Sequence, residues 1–293
     1  MPAPQAPAAP HLPPDPAAMQ DLSRRYPVWF CDVWGVIHNG YTPFSESVAT
    51  LARHRAAGGT VILLTNSPRS RIGVEDQLRG IGVDKASHDL IVTSGDVTRD
   101  LIRKHGGKAL FHLGPSRDHS ILDGLDVSLV EIPKAHAVLC TGLFDDLNDR
   151  LEDYDALLAD LRHRRLAMIC ANPDKIVRKG DRILYCAGML AERYAAIGGD
   201  VLMAGKPFQP IYDLAMTEAG SLRGRPIAPG EVLAIGDGPE TDIKGAADFG
   251  LDALLVAEGI TDSAAGLDAA EASVKALVPG ARIVATVRQL TWS

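Results

Sequence analysis

The stretch Trp29–Ile37 constrains the fold of this chain more than any other part of its sequence. An apolar run brings one carboxylate, Asp32, to a point where Gly35 lets the backbone turn. A short apolar run that ends in this way is typical of a buried strand in a parallel sheet. Ligands of open α/β sheets bind just beyond the carboxyl ends of such strands. The pattern therefore makes Asp32 a candidate reactive group.

Further apolar runs of this kind alternate with helical segments, which is typical of βαβ units. The clearest of these runs are Thr60–Leu64, Leu90–Val92, Val201–Ala204, Val232–Ile235 and Leu251–Val256. We therefore expect an α/β fold with a Rossmann-like doubly wound parallel-sheet core. Between the two halves of this core the sequence pattern changes but remains α/β, and we expect an inserted α/β domain over 107–188. The core is predicted over 21–106 and 189–293, with the run from Val201 as one of its strands.

Composition and charge narrow the class of protein. The 293 residues carry a net charge of −7, which argues against nucleic acid or an anionic membrane as the main partner. No apolar run reaches the roughly 18–20 residues of a membrane helix. The 4 cysteines are dispersed and favour reduced thiols in a cytoplasmic protein. Residues 1–20 are rich in proline and alanine and are predicted to be a disordered tail.

Polar side chains follow four of the predicted strands, at the point where each strand ends. They are Asp32, the pair Thr65 and Asn66, Lys206, and the pair Asp237 and Asp242. Acids that lie close together repel one another unless a cation is bound between them. Magnesium suits such a site because it prefers oxygen ligands and keeps several waters. A lysine and a hydroxyl group suit the oxygens of a phosphoryl group, so the set indicates phosphoryl transfer.

The order and spacing of these residues resemble the haloacid dehalogenase superfamily, specifically its class IIA, NagD-type phosphatases with an α/β cap. The segment Gly236–Ile243 is similar to the GDxxxTDI motif of that family. The resemblance implies that Asp32 is the nucleophile and a Mg²⁺ ligand, and that Asp237 and Asp242 are further ligands. It also places the backbone carbonyl of Trp34 among the metal ligands.

The same resemblance implies the residues that bind the substrate. Thr65 would hold the phosphoryl oxygens with help from the backbone amide of Asn66. Lys206 would neutralise the nucleophile and the phosphoryl group. Asn172 and Asp174 resemble the cap segment that faces the active site, although Asn-Pro-Asp is also good turn chemistry.

Trp34 is the main departure from the family pattern. Most phosphatases of the superfamily have a second aspartate at this position, which protonates the leaving oxygen and then activates water. A positioned general acid or base contributes roughly 10²–10⁴-fold to the rate. Leaving groups that are already acidic need little protonation, and His38 is one candidate to supply a proton instead.

Two functions are therefore open. The first is a magnesium-dependent phosphohydrolase that acts on a small phosphorylated metabolite, a sugar, nucleotide, aryl or acyl phosphate, through an aspartyl-phosphate intermediate. The second is a catalytically degenerate relative that binds a phosphorylated ligand or a protein partner without turnover, which Trp34 favours. The sequence does not name the substrate, and it leaves a homodimer open.

Overall fold

The computed structural model describes residues 17–179, 182–257 and 266–292. Most of the predicted tail, residues 1–16, lies outside the described residues. Residues 17–20 begin a helix that runs over Ala17–Arg25, so this part of the segment is helical where disorder was predicted.

The elements of the described residues follow the alternation that the sequence predicts. The strands are β1 (Val28–Cys31), β2 (Thr60–Thr65), β3 (Leu90–Thr93), β4 (Ala109–Leu113), β5 (Ser128–Leu129), β6 (Ala137–Cys140), β7 (Ala167–Cys170), β8 (Ile176–Lys179), β9 (Arg182–Tyr185), β10 (Val201–Met203), β11 (Val232–Gly236), β12 (Asp252–Val256) and β13 (Arg282–Val287). The α-helices are α1 (Ala17–Arg25), α2 (Ser45–Ala56), α3 (Arg71–Gly80), α4 (Ser94–Leu101), α5 (Asp155–His163), α6 (Ala187–Ala196), α7 (Gln209–Arg223), α8 (Lys244–Phe249) and α9 (Leu267–Leu277).

The first sheet has six strands in the order β13-β12-β11-β1-β2-β3. The pairings of β1 with β11, β11 with β12, and β12 with β13 are all parallel. From β1 the chain moves outward to β3, and from β11 it moves outward in the opposite direction to β13. This is the doubly wound order, with its switch point between β1 and β11. The predicted Rossmann-like core is confirmed.

The second sheet has five strands in the order β10-β7-β6-β4-β5. Its pairings are parallel throughout, and its strands come between β3 and β11 in the chain, so the predicted α/β insertion is present. The apolar run from Val201 was expected in the core, but it forms β10 and pairs with β7 instead. An apolar run predicts a buried strand but contains nothing that selects the neighbouring strand.

The central strand β6 of the second sheet is buried on both faces because it is apolar at every position. Val138 and Cys140 of β6 pack in the cluster that contains Leu158 of α5 and Leu190 of α6. Leu139, between them, points to the opposite face and packs in a second cluster. Such continuous apolar strands are typical of parallel sheets covered by helices.

The chain forms two compact units. Unit 1 comprises Met1–Ile62, Val83–Asp89 and Ala219–Ser293, and unit 2 comprises Leu63–Gly82 and Leu90–Glu218. This division differs from the predicted domains, in which the insert covers 107–188 and the core covers 21–106 and 189–293. Those domain bounds stay a prediction. The pairing of β10 with β7 favours a later end for the insert.

The described residues contain four free cysteines, Cys31, Cys140, Cys170 and Cys186, and all four are buried. Burial raises the pKa of the Cys170 thiol to about 12, and it does the same for Cys186. Thiols in this state are structural and inert. Among the described helices, none has the length and apolar character needed to cross a membrane.

Candidate active site

Three carboxylates of unit 1 meet at the switch point of the first sheet. Asp32 directly follows β1 and Asp237 directly follows β11, while Asp242 lies in a π-helical turn over Pro239–Ile243. One carboxylate oxygen from each residue lies within 4.8 Å of the other two. The backbone of Asp32 donates to the Ile235 carbonyl at 2.8 Å and so extends the pairing of β1 with β11 up to the acid. The structure thus brings together three residues predicted from the sequence.

Local geometry explains why a glycine lies three residues after Asp32. Gly35 has φ of +84°, a conformation that L side chains rarely adopt, and a Cβ atom built there would lie 2.1 Å from Oδ2 of Asp237. The position therefore needs glycine for both its backbone conformation and the space that the carboxylate occupies.

Asp242 is fixed by its own turn. Its Oδ2 accepts a hydrogen bond from the Gly238 backbone at 3.1 Å and from the Thr241 hydroxyl at 3.4 Å. Asp32 and Asp242 are 8% and 5% exposed, so their charges are poorly solvated. Carboxylates this close and this buried oppose one another unless a cation neutralises them. The donor set, which consists of hard oxygens only, fits Mg²⁺. A ligand role for the Trp34 carbonyl stays a prediction.

The Trp34 side chain is 38% exposed. Its ring makes an edge contact with the imidazole of His38, with centroids 5.2 Å apart. His38 is buried, and burial lowers its pKa. Its Nδ1 accepts the Gly40 amide at 2.8 Å, so the neutral ring keeps its proton on Nε2. A neutral imidazole is a weak acid, which argues against His38 as a full replacement for the missing aspartate.

Unit 2 contains the residues predicted to bind the phosphoryl group. Thr65 ends β2 and is buried, and its hydroxyl oxygen accepts the Ser67 amide at 3.2 Å. Lys206 lies three residues after β10. The strand that precedes it therefore belongs to the second sheet, whereas a strand of the core was expected there. Its ammonium group is buried and donates to the Leu64 carbonyl at 2.9 Å.

The side chain of Asn66 holds both backbone groups of Lys206. Its Oδ1 accepts the Lys206 amide at 2.7 Å, and its Nδ2 donates to the Lys206 carbonyl at 3.1 Å. The same Nδ2 donates to Oδ1 of Asp174 at 2.8 Å. The Asn66 side chain is therefore committed to positioning these two residues, and only its backbone amide fits the predicted contact with substrate. The sequence did not reveal this role, because the partners are 108 and 140 residues away in the chain.

Asn172 and Asp174 form the turn that the sequence left open. The Oδ1 of Asn172 accepts the Asp174 amide at 3.0 Å, which is an Asx-turn contact. The turn orients the Asp174 carboxylate toward Asn66. Contact of either residue with a substrate stays a prediction.

Comparison with known proteins identifies the family. Residues 29–128 match a family described as haloacid dehalogenase-like hydrolase, and residues 203–287 match one described as HAD-hydrolase-like. A hydrolase of the haloacid dehalogenase-like family from Brucella suis is 47% identical, with a TM-score of 0.83, and the match covers 96% of this chain and 100% of that one. The chain belongs to the haloacid dehalogenase-like hydrolase family.

More distant solved structures share the fold. A possible sugar phosphatase from Cytophaga hutchinsonii is 24% identical with a TM-score of 0.76, covering 93% of this chain and 97% of its own. A 4-nitrophenylphosphatase from Thermotoga maritima is 20% identical with a TM-score of 0.71, covering 92% and 96% respectively. A search of curated proteins gave no significant match.

Proposed function

We propose that this chain is a magnesium-dependent phosphohydrolase of the NagD type, acting on a small phosphorylated metabolite. The observation that carries the proposal is the convergence of Asp32, Asp237 and Asp242 within 4.8 Å at the switch point of the first sheet. A nucleophile and cation ligands in one cluster are the parts that phosphoryl transfer requires. The names of the relatives from Cytophaga and Thermotoga support the same chemistry. The buried thiols support a reducing, cytoplasmic location.

Asp32 is the proposed nucleophile. One of its oxygens bonds to phosphorus while the bond from phosphorus to the leaving oxygen breaks, which gives an aspartyl phosphate. Water then cleaves that phosphate and returns the free carboxylate. Lys206 and Thr65 are proposed to bind phosphoryl oxygens through their ammonium and hydroxyl groups. Mg²⁺, held by Asp32, Asp237, Asp242 and the Trp34 carbonyl, would supply charge neutralisation.

Proton transfer to the leaving oxygen sets the substrate class. The position two residues after the nucleophile holds an indole, whose N–H does not titrate at neutral pH. The leaving group must therefore depart as an anion that is already stable. Aryl phosphates and acyl phosphates meet this condition, and alkyl phosphates of sugars do so less well.

The test is hydrolysis of 4-nitrophenyl phosphate by the purified full-length protein, with Mg²⁺ and with a chelator. We expect release of phosphate that requires Mg²⁺ and that is absent in Asp32→Asn, which removes the nucleophile. Glu240→Gln, which removes an exposed acid from the same turn as Asp242, is the control and should keep full activity. Stabilisation by a phosphorylated ligand with no turnover above the Asp32→Asn level would instead establish the degenerate binding protein.

A further inference from the structure

Both donors and the oxygen of the Asn66 side chain are in use. Its Oδ1 accepts the Lys206 amide at 2.7 Å, and its Nδ2 donates to the Lys206 carbonyl at 3.1 Å and to Oδ1 of Asp174 at 2.8 Å. An amide nitrogen carries two hydrogens, so each of these contacts takes one of them. A hydrogen bond to a carboxylate is roughly twice as strong as one between neutral groups. The contact with Asp174 is therefore the stronger of the two that Nδ2 makes.

Lys206 is fixed at both of its ends by residues at the end of β2. Its ammonium group donates to the Leu64 carbonyl at 2.9 Å, while the Asn66 side chain holds its backbone. Thr65, between these two residues, supplies the hydroxyl that is proposed to bind phosphoryl oxygens. Lys206 and Asn66 are both buried, so these hydrogen bonds are shielded from water and strengthened. The position of Lys206 relative to Thr65 therefore depends on the Asn66 side chain.

The backbone before Lys206 leaves space for this arrangement. A Cβ atom built at Gly205 would lie 2.3 Å from Oδ1 of Asn66 and 2.8 Å from Cδ of Pro173, closer than real Cβ atoms approach. Any side chain at position 205 would push the Asn66 amide away from the backbone of Lys206. The close approach of the amide is thus built into the loop.

Asp174 is itself held by contacts that do not involve Asn66. Its amide donates to the Asn172 side chain, and its carbonyl accepts the Gly188 amide of α6 at 3.1 Å. A Cβ atom at Gly188 would lie 2.5 Å from that carbonyl oxygen, so the chain around Asp174 packs directly on the first turn of α6. The neighbouring Lys175 carbonyl accepts the Cys186 amide at 2.9 Å. The carboxylate is therefore presented to Asn66 from a fixed backbone.

We propose that Asp174 is a positioning residue for phosphoryl transfer, which acts through the Asn66 amide on Lys206 and does not contact the substrate. Asp174 holds one donor of Asn66, Asn66 holds the backbone of Lys206, and Lys206 presents its ammonium group to the phosphoryl oxygens. This inference rests on the proposed function, because it gives Lys206 its role there. It makes position 174 a place where an acceptor oxygen is needed and a negative charge is not.

The first test compares Asp174→Ala with Asp174→Asn in the full-length protein with Mg²⁺. Asp174→Ala removes the acceptor and should lower kcat/KM for 4-nitrophenyl phosphate by roughly 10- to 100-fold, the usual cost of a misplaced group. It should weaken the binding of inorganic phosphate, measured by calorimetry, by about five- to tenfold. Asp174→Asn keeps an acceptor oxygen in a weaker hydrogen bond, so both values should change by less than about threefold. Equal losses in the two variants would show that the charge is needed, as a substrate contact requires, and would overturn the proposal.

The second test exchanges the donor and the acceptor. Asn66→Asp keeps the acceptor for the Lys206 amide, but it removes both donors and sets a second carboxylate against Asp174. Its loss of kcat/KM should be at least as large as that of Asp174→Ala. The double variant Asn66→Asp with Asp174→Asn restores the hydrogen bond between the two side chains in the reverse direction. It should recover about tenfold of the loss, and the rest should remain because the Lys206 carbonyl stays without its donor. Residues that act separately would give a double variant worse than either single one, which would also overturn the proposal.

Glu192→Ala is the control. It removes an exposed acid of α6 that pairs with Lys175, the residue next to Asp174, and should leave kcat/KM and phosphate affinity unchanged. A wild-type protein that binds phosphate without turnover would refute the hydrolase function, while phosphate affinity would still test the positioning. Turnover that Asp174→Ala leaves unaltered would refute the positioning alone. Neither turnover nor phosphate binding in wild type would overturn both.

Discussion

At the scale of single residues, the chemistry of this protein depends on what stands beside Asp32. The sequence was sufficient to predict Asp32, Asp237 and Asp242, because each directly follows or closely follows an apolar strand. The structure adds how they are held, through Gly35, Gly238 and Thr241. The double contact of Asn66 with Lys206 could not be predicted, since it depends on the register of distant loops rather than on any local pattern.

Trp34→Asp tests whether the proton-transfer half of the mechanism is missing. The indole is more than one third exposed, so its replacement opens no core cavity. A carboxyl group at this position should protonate the leaving oxygen and raise kcat/KM for an alkyl phosphate such as glycerol phosphate by roughly 10²-fold or more. For 4-nitrophenyl phosphate, whose leaving group is already acidic, the change should be small. The measurement is phosphate release from both substrates.

Trp34→Asn is the matched control, because the amide has the shape of the carboxyl group and cannot donate a titratable proton. A comparable gain with Trp34→Asn would mean that the indole acts by blocking the site rather than by lacking a proton. An equal gain on both substrates with Trp34→Asp would lead to the same conclusion.

At the scale of elements, helix α2 is joined to strand β1 by a stacked pair. The rings of Trp29 and His54 lie 3.8 Å apart and are within 3° of parallel. Nδ1 of His54 lies 2.7 Å from the Ser23 hydroxyl of α1, and Nε2 is buried. Burial is the largest cause that lowers the pKa of His54 to about 4; Asp89 opposes the shift and Arg223 adds to it. The packing of three elements thus requires a neutral imidazole.

The stability of the protein should therefore fall as the pH falls from about 6.5 to about 4. In this range the unfolded state binds a proton at His54 that the folded state does not, so the free energy of unfolding decreases toward lower pH. The contribution of His54 is about 3 kcal/mol over the full range, at about 1.4 kcal/mol for each unit of the pKa difference. His54→Phe keeps a planar ring against Trp29 and should remove this share of the loss. Urea unfolding at pH 7 and pH 5 measures both.

His163→Phe serves as the comparison, because His163 is exposed at the end of α5. This variant should show the same pH dependence of stability as wild type. The prediction fails if His54→Phe loses as much stability between pH 7 and pH 5 as wild type does. His38 and His112 also have lowered pKa values and account for a remaining slope in either protein.

The sequence predicted most of these elements but not all of their partners. Apolar runs bounded by turns located β1, β2, β3, β10, β11 and β12, since burial makes such strands continuous in apolar residues. The hairpin of β8 and β9 and the strand β13 were not predicted. Ile176 and Ile183 of the hairpin are exposed, so its strands are not the buried apolar runs by which the others were located. Assignment of β10 to a sheet needed strand pairing, which is a non-local property.

At the scale of the whole molecule, cation binding should raise the free energy of unfolding. Asp32, Asp237 and Asp242 repel one another in the folded state and much less in the unfolded chain. On the proposed function Mg²⁺ binds only the folded form, so it should raise the free energy of unfolding by about 2.7 kcal/mol at a hundred times its Kd. Asp237→Asn should remove most of this gain and should stabilise the metal-free protein by relieving repulsion. Thermal unfolding with chelator and with Mg²⁺ measures the two effects.

Glu240→Gln provides the control, because it removes an equal charge from an exposed position in the same turn. It should keep the full stabilisation by Mg²⁺. If Asp237→Asn and Glu240→Gln respond alike, the stabilisation arises from general screening of negative charge and not from a site at the three acids.

Three of the four buried thiols lie in strands of the two sheets. Cys31 lies in β1, whereas Cys140 and Cys170 lie in β6 and β7. Because all are fully shielded from solvent, a thiol-reactive dye can label them only when the surrounding sheet opens. The labelling rate of Cys31 thus reports how often the first sheet opens, and the rates of Cys140 and Cys170 report the opening of the second. Labelling rates resolved by mass spectrometry would give the opening free energy of each sheet without any engineered probe.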